Sequence, residues 1–206
     1  MGKIGVLGGT FNPIHNGHLR LANEAYKALK LNKVLIMPTG LSYLKTDVNI
    51  LSKDIRSKMV QLAIEDYEYF DFSDIEIKKE GNTYTYETLI ELHKKYPNDD
   101  IYFICGADTL FNIMNWKNPV NILNNCILTV MSRDDKNIDE LNRQAEELKN
   151  LYNAEIVILN CNKLDISSSE IRNYILNNDI SSIKDKLPEK VLNYIIENNL
   201  YISIEE

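Results

Sequence analysis

Ile4-Gly5-Val6-Leu7-Gly8-Gly9-Thr10-Phe11-Asn12-Pro13-Ile14-His15-Asn16-Gly17-His18 runs directly into Leu19-Arg20-Leu21-Ala22. An apolar run ends at paired glycines, a short loop follows, and a helix opens. That order predicts a strand, a tight turn and a helix start. Paired glycines let the main chain approach a ligand closely. The first amides of a helix have no partner within the helix and favour anions. His15 and His18 stand at that start, and imidazole can donate hydrogen bonds to phosphate oxygens. The stretch therefore reads as a nucleotide phosphate site. Its spacing fits neither Gly-x-Gly-x-x-Gly nor the Gly-Lys-Ser/Thr of a P-loop. A zinc site at His-x-x-His spacing lacks a third ligand nearby.

Working outward, apolar runs alternate with helical patterns. Residues 4–7, 34–37, 70–77, 101–105, 127–131 and 156–159 read as strands. Residues 19–29, 53–67, 86–95, 138–151 and 168–176 read as helices. Ile138, Leu141, Ala145, Leu148 and Leu151 recur at helical spacing with polar residues between them. A final helix is predicted from Pro188 to Asn198-Asn199. Such alternation predicts an α/β fold with a mostly parallel sheet. Ligands then bind beyond the carboxyl ends of the strands. The glycine–histidine loop, the Gly106-Ala107-Asp108 turn and the Ser167–Ser169 helix start are expected to share that edge. Residues 40–50 read as a mobile loop.

The chain of 206 residues is long enough for one sizeable core. No run of about 18 apolar residues suggests a membrane span, and the first apolar run is too short for a signal peptide. Met1-Gly2 lacks the Ser or Thr at position six that myristoylation needs, since Val6 stands there. Cys105, Cys126 and Cys161 are scattered in or beside apolar runs. They read as small core residues in a reducing cytoplasm. The net charge of −7 argues against a nucleic-acid coat. It does not exclude a small anionic ligand, which needs only a local cluster of cations and amide dipoles.

The string Gly-Gly-Thr-Phe-x-Pro-x-His-x-Gly-His closely resembles the signature of the nucleotidyltransferase superfamily. A second constellation is Ile166-Ser167-Ser168-Ser169-Glu170-Ile171-Arg172, in which Ser167 and Glu170 have capping-box spacing. It resembles the Ile-Ser-Ser-Thr-x-Ile-Arg motif of nicotinate-nucleotide adenylyltransferases, with Ser169 in place of Thr. Tyr84-Thr85-Tyr86-Glu87-Thr88-Leu89, Phe103-Ile104-Cys105-Gly106-Ala107-Asp108, Trp116 and Met131-Ser132-Arg133 are similar to that family in order and spacing. One segment departs from it. Thr39-Gly40-Leu41-Ser42-Tyr43-Leu44-Lys45 stands where the family has Pro-Pro-His-Lys, and only the lysine, Lys45, can be matched.

The resemblance implies a Rossmann-like, doubly wound, mostly parallel sheet with flanking helices. It implies one nucleotidyltransferase domain over 1–206, with a helical portion from about 166. It implies adenylyl transfer from ATP to nicotinate mononucleotide, giving deamido-NAD and pyrophosphate, in the cytoplasm. His15, His18, Lys45 and Arg172 would act on the transferring group. Gly8, Gly9, Thr10, Phe11, Ser167, Ser168 and Ser169 would join His15, His18 and Arg172 in holding ATP. Thr85, Gly106, Asp108, Trp116 and Arg133 would hold the mononucleotide, with Trp116 stacked on the pyridine. Mg²⁺ would be bound through the phosphates, with no metal site of the protein's own. No nucleic-acid or membrane partner is implied, and a homo-oligomer is left open. Two other readings stay open. One is a related enzyme such as phosphopantetheine adenylyltransferase, which also carries the histidine loop. The other is a sensor that binds ATP without turnover.

Overall fold

The structure, a computed structural model, describes residues 2–42, 50–132, 138–161 and 165–202. Lys45, Arg133 and most of the expected mobile loop lie outside the described residues.

Strands β1 (Lys3–Gly9), β2 (Lys33–Pro38), β4 (Phe70–Phe72), β6 (Asp100–Gly106), β7 (Ile127–Ser132) and β8 (Glu155–Asn160) form a six-stranded sheet. Its spatial order is β4-β2-β1-β6-β7-β8. Every pairing in it is parallel. The winding reverses between β1 and β6, the doubly wound arrangement whose crevice opens at the carboxyl ends of those two strands. In register, Leu7 of β1 faces Ile104 of β6, so Gly8–Gly9 and Gly106 end side by side.

The strands read as continuous apolar runs because helices cover both faces of the sheet. Leu7, Val34, Ile36, Tyr102 and Ile104 belong to one core, and Ile4, Val6, Leu35, Met37, Ile101 and Phe103 to the other. The alternation of side chains along each strand divides them. The first core takes α1 (Asn16–Leu29), α2 (Lys53–Ile64), α7 (Ser168–Leu176) and α8 (Glu189–Glu197). The second takes α3 (Thr85–Lys95) and α6 (Ile138–Tyr152). The C-terminal helices share the core that carries Ile14 and Leu19, and so bring residues beyond 166 against the first loop.

Several expectations need correction. The strand predicted over 70–77 ends at Phe72. Asp74–Ile77 form a turn instead, closed by the Lys78 N–H donating to the Asp74 carbonyl at 3.0 Å and by a Lys78–Asp74 ion pair at 2.8 Å. α2 ends at Ile64, not Tyr67. Tyr67 turns to stack on Phe70 at 4.7 Å. α1 begins at Asn16, three residues earlier than Leu19. The short helices α4 (Ala107–Asn112) and α5 (Pro119–Leu123) were not expected. Neither was the small parallel pair β3 (Leu41–Ser42) and β5 (Asn82–Thr83). No helix among the described residues is long and apolar enough to cross a membrane.

Candidate active site

The β1–α1 loop is built by close approach. An added Cβ on Gly9 would sit 2.7 Å from the Phe11 ring, so only glycine lets that ring fold back over the strand end. Phe11 is buried and left-handed, with φ 49°. His15 is the N-cap of α1. Its ring lies across the first turn, 3.0 Å from where a Cβ on Gly17 would be. Gly17 is thus a packing requirement rather than a helix breaker, and this is why the helix starts earlier than its composition suggests. The His15 and His18 rings stack with centroids 3.7 Å apart. Phe11 meets His18 edge-on at 5.0 Å.

The His15 main-chain N–H donates to Nδ1 of His18 at 3.3 Å. Nδ1 is then an acceptor, so a neutral His18 carries its proton on Nε2. In that tautomer the imidazole can donate through Nε2 without being charged.

α7 approaches from the other side. Ser167 caps it, its hydroxyl accepting from the Glu170 N–H at 3.1 Å. The other half of the expected capping box is replaced, since the Glu170 carboxylate pairs with Lys186 at 3.2 Å. The Ser168 hydroxyl donates to the Pro13 carbonyl at 2.9 Å. Arg172 donates through Nη1 to the Asn12 carbonyl at 2.8 Å and through Nη2 to the Ser169 hydroxyl at 3.2 Å. The loop and α7 enclose a cavity of about 430 Å³ whose walls include Gly8 through Asn12, His15, His18, Ser167–Ser169 and Arg172. All ten residues expected to hold ATP line it.

Sequence reasoning missed the residues behind this wall. Arg56 is buried, and its guanidinium donates to three main-chain carbonyls: Leu51 at 3.1 Å, Thr10 at 2.7 Å and Thr39 at 2.8 Å. Burial lowers its pKa from the usual guanidinium value. Its acceptors among the described residues are neutral, so the group stands as a fixed positive charge behind the loop. A signal existed: Arg56 falls on the stripe with Met59, Val60, Ala63 and Ile64, where the helix buries its face. Asn12 Oδ1 accepts from the Leu51 N–H at 3.2 Å and from the Tyr201 hydroxyl at 3.0 Å.

Of the residues expected to hold the second substrate, the described ones, Thr85, Gly106, Asp108 and Trp116, do not line this cavity. Gly106 is the N-cap of α4, and Asp108 is exposed in that helix's first turn. Trp116, half-buried, meets Phe103 edge-on at 6.4 Å. Phe103 in turn lies beside Gly8, where an added Cβ would be 3.9 Å from its ring. Thr85 opens α3. Its neighbour Tyr86 donates to Glu87 at 2.8 Å and reaches the Asn118 side chain. Thr85 and Trp116 thus belong to adjoining segments, and Trp116 is linked to the cavity wall through Phe103, which lies beside Gly8. Glu76 steadies this side: it is buried, accepts from the Thr88 hydroxyl at 2.9 Å and from Thr83 and the Gly40 amide, and burial raises its pKa.

Cys105 and Cys126 are poor nucleophiles, because burial pushes the Cys105 thiol up to about 12 and the Cys126 thiol higher still. Among the described residues no three His, Cys, Asp or Glu side chains are grouped to hold a metal ion.

Sheet order, histidine loop and α7 together define a cytidylyltransferase-like protein, and the model of that family, Cytidylyltransferase-like, matches residues 6–174. A protein of Clostridium tetani (strain Massachusetts / E88) named "Probable nicotinate-nucleotide adenylyltransferase" is 42% identical over 98% of this chain and 100% of its own. A protein of the same name from Lachnoclostridium phytofermentans (strain ATCC 700394 / DSM 18823 / ISDg) is 38% identical over the same shares. The chain belongs to the nicotinate-nucleotide adenylyltransferase family. Its fold is that of Plasmodium falciparum nicotinic acid mononucleotide adenylyltransferase complexed with NaAD, at TM-score 0.80 and 22% identity over 98% of each chain.

Proposed function

We propose that this chain transfers the adenylyl group of ATP to nicotinate mononucleotide, giving deamido-NAD and pyrophosphate. The observation that carries the reading is that His15, His18, the first turn of α7 and Arg172 wall one shared cavity. In this reading the triphosphate lies in the cavity and the mononucleotide lies along the end of β6, towards Asp108, Trp116 and Thr85. Lys45 and Arg133, which the family resemblance adds, would supply further positive charge.

The attacking group is the 5′-phosphate of the mononucleotide. One of its oxygens forms a bond to the α-phosphorus of ATP, and the bond from that phosphorus to the bridging oxygen breaks, releasing pyrophosphate. The nucleophile is already an anion near neutral pH, so no general base is needed. Catalysis then consists of alignment and charge stabilisation. His18 Nε2 donates to the α-phosphoryl group, His15 helps seat the α- and β-phosphates, and Arg172 with the α7 amides holds the β- and γ-phosphates. The Ser168 hydroxyl can donate to a phosphate oxygen only by exchanging its bond to the Pro13 carbonyl, so its part in this state is to pin the loop.

The described residues lining the cavity include no carboxylate, which suits a magnesium ion held by phosphate oxygens and water rather than by protein ligands. Such an ion would neutralise phosphate charge when bound. The test is pyrophosphate release from ATP on adding nicotinate mononucleotide, with deamido-NAD identified as the product. Release only with phosphopantetheine would point to that relative, and ATP binding without release to a sensor.

A further inference from the structure

Tyr201 lies far outside the motif that names the site, yet its hydroxyl donates to Asn12 Oδ1 across 189 positions of sequence. Asn12 is 4% exposed and lines the cavity. Its amide orientation is fixed, because the Leu51 main-chain N–H can donate only to an oxygen. The Asn12 carbonyl is held by Arg172 Nη1 at 2.8 Å. One residue of the phosphate loop is therefore gripped at side chain and main chain by groups from three different parts of the chain.

The backbone on both sides of the tyrosine–asparagine bond is unusual. Phe11 has φ 49° and Tyr201 has φ 65°, both left-handed and neither glycine. A bulky residue keeps that conformation only where its surroundings impose it. Here the imposed turn after α8 carries the Tyr201 ring back under the loop. Burial raises the phenol's pKa, outweighing the Arg56 and Arg172 charges that lower it, so the hydroxyl stays protonated and donates.

We propose that Tyr201 is a positioning residue for the nucleotide site, acting through Asn12 to hold the β1–α1 loop in register with Arg172. The proposal rests on the reading that this cavity takes the triphosphate. Tyr201 touches no substrate. It fixes Asn12, and Asn12 fixes the carbonyl that Arg172 needs.

Tyr201→Phe removes one hydrogen bond and keeps the ring, so the fold should persist. The expected result is an ATP KM raised about threefold to tenfold, the scale of one hydrogen bond, with the mononucleotide KM unchanged. In an Asn12→Ala background the same substitution should have no further effect on the ATP KM, because the pair acts as a unit. An unchanged ATP KM with only a lower melting temperature overturns the proposal, as does an equal rise for both substrates or strict additivity with Asn12→Ala. His18→Ala is measured alongside. If it abolishes turnover while Tyr201→Phe leaves the ATP KM as it was, the Tyr201 proposal alone fails. If His18→Ala turns over normally, the reading of the cavity fails as well.

Discussion

The two ends of the site are built differently. The β1–α1 end is bolted down. The carbonyls of Thr10, Asn12 and Pro13 are each held by a side-chain donor, from Arg56, Arg172 and Ser168. At the β6 end the framework is steadied by Glu76, but the side chains expected to meet substrate are lightly held, with Asp108 exposed and Trp116 resting edge-on against one ring. In the proposed reaction this contrast has a physical sense. The transferring phosphoryl gains most from donors whose geometry is set before the substrate arrives. A pyridine ring away from the reacting atoms needs only affinity, which a face open for stacking supplies. Rigid donors at one end and open surfaces at the other should give variants with different kinetic signatures.

The largest effect should come from the rigid end. His18→Ala removes a preorganised donor and should lower kcat by about 10²–10³. The circular dichroism spectrum should be kept, since His18 is only partly buried. A folded variant that turns over at the normal rate would falsify its place in the mechanism.

At the open end, nicotinate mononucleotide should be preferred over the amide by about one to two orders of magnitude in kcat/KM. A carboxylate accepts at both oxygens, whereas an amide presents an NH₂ on one side. A site made of the Thr85 hydroxyl and the first amides of α3 would face that NH₂ with donors. Each buried donor left unpaired costs about 1–3 kcal/mol, or tenfold per 1.4 kcal/mol. Equal kcat/KM for acid and amide, measured at the same ATP concentration, would remove Thr85 from substrate choice and leave the phosphoryl chemistry standing.

Arg172→Lys should return the comparison to the rigid end with a smaller effect, about tenfold in kcat/KM. The guanidinium bridges the Asn12 carbonyl and the Ser169 hydroxyl with two nitrogens of one plane. An ammonium keeps the charge but not the fork. Wild-type kinetics in Arg172→Lys would mean that charge alone matters there.

How much of this was readable in advance follows the same division. The central strands were legible because burial on both faces makes them unbroken apolar runs. The loop was legible because its glycines and histidines fall within one short stretch of sequence, Gly8 to His18. Arg56 was missed although it marks the buried stripe of α2, because a charge there is ordinarily read as an edge of the polar face. Tyr201 could not have been found: nothing local in a C-terminal tyrosine says that the turn after α8 carries it to Asn12. Asp74–Ile77 misled because polar and apolar residues alternate there as in a strand, while a local hydrogen bond and ion pair close the turn. α4 and α5 are too short for a period to show.

Trp116→Ala should give the smallest effect and the cleanest separation. If the indole stacks on the pyridine, its loss weakens the mononucleotide alone. An aromatic pair contributes about 0.5–1.5 kcal/mol beyond area, so the mononucleotide KM should rise about twofold to tenfold while the ATP KM stays. Trp116→Phe should restore most of the loss, because a smaller ring still offers a face. A structural tryptophan predicts something else. Removing it would take away the edge contact with Phe103, and Phe103 lies beside Gly8 at the rigid end. The disturbance would then reach the phosphate loop, lowering the melting temperature and raising the ATP KM first. The ratio of the two KM changes decides between these accounts, and an ATP-weighted ratio would show that the lightly held end is in fact part of the rigid one.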